Sequence, residues 1–340
     1  MQAMVLNKIA PINKHSLTLM DVPVPIPGKG EILVKVIACG ICHTELDEIE
    51  GRLMPPKLPM ILGHEIIGQV EKMGPATGRY RKGDRIGIAW IHWACGKCYF
   101  CKKGNENLCS QARWTGYTAG GGYAQYTIVD ENFAYPIPEP FSSIQAAPLL
   151  CAGVIGYRAL RLTGMGDHQV LGLFGFGASA HLVIQMARYQ YPKSRIFVFT
   201  RRPGQTEHQT LARKLGATWV GATGEIPPEL LHCAIDFTPV GTPVGEALKI
   251  LEKGGRLVIN AIRKEEAIPP LDYTTQLWQE KEIKSVANVT RQDAEEFLPL
   301  AAKIPIIPKV TEFRLEEANQ ALLILKEGKM QGAGVLKINH

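Results

Sequence analysis

Residues 170–180 read Val-Leu-Gly-Leu-Phe-Gly-Phe-Gly-Ala-Ser-Ala, and this stretch decides the fold of half the chain. An apolar run of strand length, 170–174, leads into Gly175-x-Gly177-x-x-Ala180 and then into a helical stretch at 179–189. Gly175 permits a tight turn, Gly177 lets a pyrophosphate approach the backbone, and Ala180 lets helix and strand pack closely. Ala178 and Ser179 complete the turn at a helix N-terminus, where the dipole favours phosphate charge. A glycine motif alone is weak, but in this strand–turn–helix setting it predicts dinucleotide binding. The surrounding run 170–187 is broken by Gly172, Gly175, Gly177, Ser179, His181 and Gln185, which makes it a poor membrane span.

From residue 169 onward strands and helices alternate. Strands are expected at 170–174, 195–200, 234–237, 256–260 and 283–287, with helices at 179–189, 207–215 and 243–251 between the first four. That alternation predicts an α/β fold with a parallel, doubly wound sheet. A helix at 154–162 leads into it. Residues 1–150 read differently: short apolar runs at 32–37, 66–70, 85–89 and 123–129 are punctuated by Pro and Gly at 22–30 and 74–78, as in a β-rich domain. Beyond about 289 the chain is expected to return to short strands around a helix at 315–327 and to fold back onto the first domain. The expected domains are therefore 1–153 with 289–340, and 154–288. There is no internal repeat and no low-complexity segment.

The end of the second strand of the alternating half chooses the cofactor. An acid there would bind the ribose 2′-OH of NAD. The chain instead reads Thr200-Arg201-Arg202-Pro203-Gly204. Two guanidiniums stand where a 2′-phosphate would lie, and the planar fork of Arg suits phosphate. NADP(H) is the expected cofactor. NAD(H) remains the alternative, with the two arginines simply an exposed basic turn.

The 340 residues carry a formal net charge of +6 without any Lys/Arg block, which argues against nucleic-acid or membrane partners. Residues 1–8 lack the basic-then-apolar pattern of a signal peptide, so a cytoplasmic protein is expected. In that compartment eight cysteines point to metal or catalysis rather than to disulfides. Cys95-x2-Cys98-x2-Cys101-x7-Cys109 is the most specific signal in the chain. Four thiolates so spaced close a tetrahedral zinc site with no vacancy, hence a structural lobe at about 93–112. Lys97, Lys102 and Lys103 offset part of its negative charge. A nucleic-acid-binding zinc ribbon is the other reading, but the loop is lightly basic and that reading leaves the α/β half unexplained.

A second set is dispersed. Cys42 lies in Gly-Ile-Cys-His-Thr-Glu-Leu-Asp, 40–47, where the apolar run 32–38 is expected to end in a loop that points ligands inward. His64 stands in Gly63-His64-Glu65, and Cys151 follows the apolar residues 146–150. Cys, His and Cys are the ligand types of a zinc whose fourth position stays open for chemistry. Cys39 and Cys233 are read as packing residues. His92, His168, His181, His208 and His232 have no ligand-like company and default to surface or satisfied core positions.

Together these residues resemble the zinc-dependent alcohol dehydrogenases of the medium-chain dehydrogenase/reductase family, most closely the yeast and bacterial branch. The resemblance covers nearly the whole chain. It runs through Gly40-Ile-Cys-His-Thr, Gly63-His-Glu, Gly83-Asp-Arg, the four-cysteine loop, Gly121-Gly-Tyr-Ala-Gln-Tyr, Cys151-Ala-Gly, the glycine turn and Gly254-Gly-Arg-Leu-Val. It implies a GroES-like β-rich catalytic domain plus a Rossmann domain, a homodimer or homotetramer, and two zinc ions per chain. The implied reaction moves a hydride between a small or primary alcohol, or its aldehyde, and the nicotinamide cofactor. Cys42, His64 and Cys151 would be the catalytic zinc ligands, and Thr44 the hydroxyl that exchanges a proton with substrate. Glu65 would be a carboxylate close to the zinc, and His43 would lie near the cofactor pyrophosphate. Glu45 takes the place of an Asp that usually orients the histidine ligand.

Four positions depart from the family pattern. Asp47 stands where the yeast type has the His that ends the proton relay. Thr200 replaces the acid expected for NAD. Ala180 fills the last small position of the turn, and Ala333 stands where many members have an Arg. Trp90, Trp93 and Trp114 are expected at the substrate pocket and would suit small aliphatic or slim aromatic alcohols. Two other functions compete. A zinc-free quinone or enone reductase of the same superfamily is disfavoured by the complete ligand set. A non-catalytic zinc-binding protein is disfavoured by Thr44 and the cofactor turn.

Overall fold

The computed structural model describes residues 1–201, 207–304, 306–330 and 332–339. Its contacts divide the chain into two compact units, Met1–Cys151 with Asn288–His340, and Ala152–Ala287.

The second unit is built on six parallel strands in the order Trp219–Ala222, Arg195–Thr200, Val170–Phe174, Leu231–Asp236, Leu251–Ile259, Glu282–Ser285. The chain leaves the central strand Val170–Phe174 toward one edge, then returns to build the other half. Phe174 therefore pairs with Phe199 on one side and with Asp236 on the other. This is the doubly wound arrangement, whose switch point lies at the C-terminal end of that strand. Every residue of Val170–Phe174 is buried, as expected where helices cover both faces of a parallel sheet. Helices Ala152–Thr163, Ala180–Gln190, Glu207–Lys214 and Thr242–Lys249 belong to this unit.

Two details differ from the sequence reading. Trp219–Ala222 is an additional strand; it is only four residues long, at an edge, with Gly221 inside it, so it lacks an apolar run. The helix expected to reach 251 ends at Lys249, and strand Leu251–Ile259 starts well before the expected 256. The pair Gly254-Gly255 hid its first half, since Gly is depleted in strands.

The first unit centres on strand Glu31–Ile41. One edge pairs with Ile66–Met73; the other is shared by Tyr126–Asp130 at its start and Ala333–Lys337 at its end. Alternate residues Ile32, Val34 and Val36 are fully buried, the period-two pattern of a strand. Arg85–Ile88 and Ala134–Pro136 extend the sheet on one side and Val310–Arg314 on the other. Gln2–Leu6 lies between Leu17–Asp21 and Met60–Ile61 in a separate small sheet. The β-rich reading of 1–150 thus holds, with two corrections. Residues 43–47 are not a loop but the start of helix His43–Ile49. The tail holds a 13-residue helix, Arg291–Lys303, where short strands were expected. Pro299 inside it masked the signal. Its start was legible: Thr290 and Asp293 cap the first turn reciprocally.

Candidate functional site

Strand Glu31–Ile41 delivers Cys42 to the N-terminal cap position of helix His43–Ile49. There its backbone N–H donates to Glu45 Oε2 at 2.8 Å. The Cys42 and Cys151 sulfurs stand 4.0 Å apart, and Thr44 Oγ1 is 3.6 Å from Cys42 Sγ. Donor atoms of Cys42, His64, Glu65 and Cys151 all lie within 4.8 Å of one another. Two thiolates on one tetrahedral zinc, with Zn–S bonds of about 2.3 Å, stand about 3.8 Å apart. The donor set and its spacing therefore fit a zinc ion. Glu65 lies within reach of an ion held by the other three. Gly40 makes room for it, because a Cβ there would overlap the Glu65 carboxylate.

The electrostatics suit a cation. The hydrogen bond from Cys151 holds the Cys42 thiol well below its ordinary range, and the same contact pushes Cys151 up. Burial pulls the His64 imidazole down, but the charge of Glu45 and the contact with Cys42 outweigh it and hold it up. Burial, then the Cys42 thiolate, raise Glu65 well above the carboxylate range. Glu45 fixes His64 by accepting from Nδ1 at 2.6 Å, which leaves Nε2 as the ring atom that could bind a metal. Asp47 is buried and bonded by Arg52 Nε at 2.6 Å. His43 is exposed at the first turn of the same helix.

An aromatic wall stands beside His64. Trp90 meets the imidazole edge-on with centroids 4.9 Å apart, and both Trp114 and Tyr117 stack on Trp90. Tyr117 was missed in the sequence. Trp93 packs instead against the core with the cysteine loop. Glu48 was missed as well. It is fully buried, neither carboxyl oxygen has a hydrogen-bond partner, and burial, then the charge of Glu45, push it well above the carboxylate range. Its signal was the helical spacing, one turn beyond Thr44 and Glu45. His92 is a correction: it is neither at the surface nor a satisfied core residue, because it is buried with both ring nitrogens unpartnered.

The second cysteine group sits between strands Ile91–Trp93 and Arg113–Trp114. Cys95 Sγ is 3.9 Å from Cys101 Sγ and 3.6 Å from Cys109 Sγ, and all four sulfurs fall within 4.8 Å of one another. This set also fits a tetrahedral zinc. Backbone N–H groups of Lys97 and Cys98 bring the Cys95 thiol down to about 6, which favours thiolate at neutral pH. Glu106 within the loop receives Arg291 Nε at 2.9 Å and the Arg291 backbone N–H at 2.8 Å, tying the loop to helix Arg291–Lys303.

In the second unit, Gly175 has φ +81°, open to glycine. A Cβ on Gly177 would meet no protein atom within 4 Å. Protein packing therefore does not require glycine at 177, whereas close approach of a ligand does. The helix begins at Ala180, and the Ser179 hydroxyl donates to Ala152 O at 2.8 Å. Thr200 ends its strand buried; its hydroxyl donates to Gly221 O and accepts from Gln209 Nε2 at 2.8 Å. Arg201 is exposed. Arg202 lies outside the described residues.

Residues 28–139 match the alcohol dehydrogenase GroES-like domain family. Over 343 residues the chain is 41% identical to a probable alcohol dehydrogenase, AdhA, of Mycobacterium tuberculosis (strain CDC 1551 / Oshkosh), covering 99% of this chain and 97% of the relative. It is 31% identical to an alcohol dehydrogenase of Geobacillus stearothermophilus, with 100% of both chains covered. Among solved structures, AibC superposes with a TM-score of 0.91 at 25% identity, covering 100% of this chain and 96% of that one.

Proposed function

The chain belongs to the zinc-binding alcohol dehydrogenases of the medium-chain dehydrogenase/reductase family, and from that premise we propose that Cys42, His64 and Cys151 hold its catalytic zinc and that NADP(H) is its cofactor. It is an oxidoreductase that transfers a hydride between alcohols or aldehydes and a nicotinamide cofactor. The proposed substrates are small or primary alcohols and their aldehydes. The observation that carries the reading is the convergence of four donor atoms, from positions 42, 64, 65 and 151, within 4.8 Å.

Zinc held there supplies a Lewis acid for the substrate oxygen. The cofactor supplies the carbon that takes or gives the hydride. The chain's own groups do the rest. Thr44 Oγ1 relays the alcohol proton, taking it up while its own hydroxyl proton passes on to the cofactor ribose or solvent, and the relay runs backwards in aldehyde reduction. Glu45 holds the His64 ring in its ligand tautomer. Asp47, already paired with Arg52, is a poor acceptor for the relayed proton. The aromatic wall of Trp90, Trp114 and Tyr117 restricts the substrate to slim groups. Cys95, Cys98, Cys101 and Cys109 would hold a second, structural zinc.

Gly175, Gly177, Ala178, Ser179 and Ala180 would seat the pyrophosphate, and His43 is proposed as a further cofactor residue. The NADP(H) preference is supported by the absence of an acid at Thr200, by the engagement of its hydroxyl with Gln209 and Gly221, and by the exposed Arg201. A homodimer or homotetramer is supported by the edge strand Glu282–Ser285, all four of whose residues are exposed, and by the exposed Tyr273 and Trp278 in the segment that leads into it. The assignment of six of the eight cysteines to two zinc sites, rather than to disulfides, supports a reducing, cytoplasmic setting. Among the described residues no single helix is long and apolar enough to cross a membrane.

The test is a screen of aldehydes and alcohols with NADPH and NADH, alongside metal analysis. About two zinc ions per chain and faster turnover with NADPH are expected. Zinc-independent turnover of quinones or enones would overturn the reading.

A further inference from the structure

The charged cluster at the C-terminal edge of the parallel sheet has no part in the reading above. Asp236 ends strand Leu231–Asp236 with its side chain fully buried. Its carboxylate accepts from the Thr238 backbone N–H at 2.9 Å, from the Thr238 hydroxyl at 2.7 Å and from Lys264 Nζ. Lys264 arrives from the loop after the neighbouring strand Leu251–Ile259 and also donates to Thr238 O at 2.7 Å. Its side chain is only 14% exposed. One ammonium thus bridges the turns that follow two adjacent strands.

The bridge sits among other ties between the same turns. Glu265 N donates to Pro239 O at 2.6 Å, and Asn260 N to Asp236 O at 2.8 Å. A Cβ on Gly241 would overlap Ala267 O, so the two segments touch there as well. The first turn in its turn packs on the cofactor motif, since a Cβ on Gly175 would lie 3.1 Å from Thr238 Cγ2. In a doubly wound sheet the dinucleotide crosses the switch point, with its adenosine half on the side of the first three strands and its other half over the last three. Asp236 and Lys264 both belong to that last set.

We propose that Lys264 is a positioning residue for the nicotinamide half of the cofactor: by bridging the buried Asp236 carboxylate and Thr238 O, it locks the 236–241 turn to the 260–268 loop and fixes the floor on which that half lies. A buried carboxylate is costly without a partner. Removing the ammonium therefore loosens this floor in particular, and leaves the adenosine side and the first unit as they were. The inference rests on the use of a nicotinamide cofactor and not on the choice between NADP and NAD.

The test compares wild type, Lys264→Met and Lys264→Arg. Dissociation constants are read by fluorescence for NADH and NADPH, and by competition for the adenosine fragments ADP and 2′-phosphoadenosine 5′-phosphate. In Lys264→Met the preferred dinucleotide should bind about tenfold more weakly, because binding must then order the loosened floor, with fragment affinity unchanged. Cofactor KM should rise with a smaller change in kcat, and Lys264→Arg should recover most of the loss. Should Lys264→Met not accumulate as folded protein, Lys264→Gln, which keeps a donor without the charge, gives the same reading. Equal weakening of dinucleotide and fragment, or unchanged dinucleotide binding, overturns the inference. Wild type binding neither dinucleotide would instead overturn the proposed function.

Discussion

His64 Nδ1 stands 2.6 Å from Glu45 Oε1, and both side chains are buried. The same carboxylate, through Oε2, receives the backbone N–H of Cys42 at 2.8 Å. One side chain thus orients two of the proposed metal-binding positions at once. Partners of this kind typically contribute 10–100-fold to metal affinity or activity. Glu45→Ala should lower zinc retention against a chelator by about that factor, while Glu45→Asp, one methylene shorter, should retain more. Zinc content after timed chelator dialysis checks it; equal retention in Glu45→Ala and wild type would remove Glu45 from this role.

The four-cysteine loop should act through stability and not through chemistry. Its thiols leave no vacancy for a substrate, and metal binding there is part of the folding free energy. Cys109→Ser should lose one zinc per chain and melt at a lower temperature, while the site around Cys42 keeps its metal. A variant that held both ions with an unchanged Tm would refute the structural assignment.

The proton path should depend on Thr44 and hardly on Asp47. Thr44 Oγ1 lies 3.6 Å from Cys42 Sγ, whereas Asp47 is tied to Arg52 Nε at 2.6 Å. Thr44→Val should nearly abolish alcohol oxidation. Asp47→Asn should change turnover far less, although it weakens a partly buried ion pair. Full activity of Thr44→Val sinks this relay.

His92 makes the fold sensitive to acid. Burial, then the charge of Arg113, bring its imidazole down to about 3, and neither nitrogen has a hydrogen-bond partner. Once the chain unfolds, the ring returns to about 6.5. Between those values the unfolded chain binds more protons than the folded one. The stability associated with a neutral His92 is therefore complete above pH 6.5 and is lost as pH falls toward 3, by up to roughly 3–5 kcal/mol. His92→Leu should flatten that part of the pH–stability curve and melt higher than wild type near pH 4.5. Parallel losses in the two proteins would show that another group titrates.

The sequence was most legible where chemistry constrains spacing. The cysteine loop can be read from its intervals alone, because four sulfurs around one ion tolerate few alternatives, and the glycine turn can be read from its place between a strand and a helix. Strand Val170–Phe174 was legible because a strand buried on both faces is apolar throughout. Trp219–Ala222 was not, because an edge strand with half-buried residues needs no such run. Helix Arg291–Lys303 was hidden by Pro299, although its Thr290–Asp293 cap was in plain view. Glu48 and Tyr117 escaped for a different reason. Glu48 had only its helical spacing from Thr44 and Glu45 to mark it, and Tyr117 gains its place only by stacking on Trp90.

Cofactor choice should turn on the residues after strand Arg195–Thr200. A carboxylate there would repel a 2′-phosphate, and Thr200 removes that barrier. Its hydroxyl is also engaged by Gln209 Nε2 and Gly221 O, so it is a weak substitute for an acid as the partner of a 2′-OH. Arg201 is exposed at the strand end, and Arg202 follows it in sequence. A hydrogen bond from a guanidinium to an ionised group contributes about 1.5–3 kcal/mol, so one good contact shifts the preference roughly tenfold or more. Arg201→Ala and Arg202→Ala should each lower kcat/KM for NADPH while leaving that for NADH nearly unchanged, and the double variant should approach parity. Should wild type favour NADH, or should both variants leave the ratio where it was, the cofactor is NAD(H) and Thr200 binds its ribose, while the zinc chemistry stands unaltered.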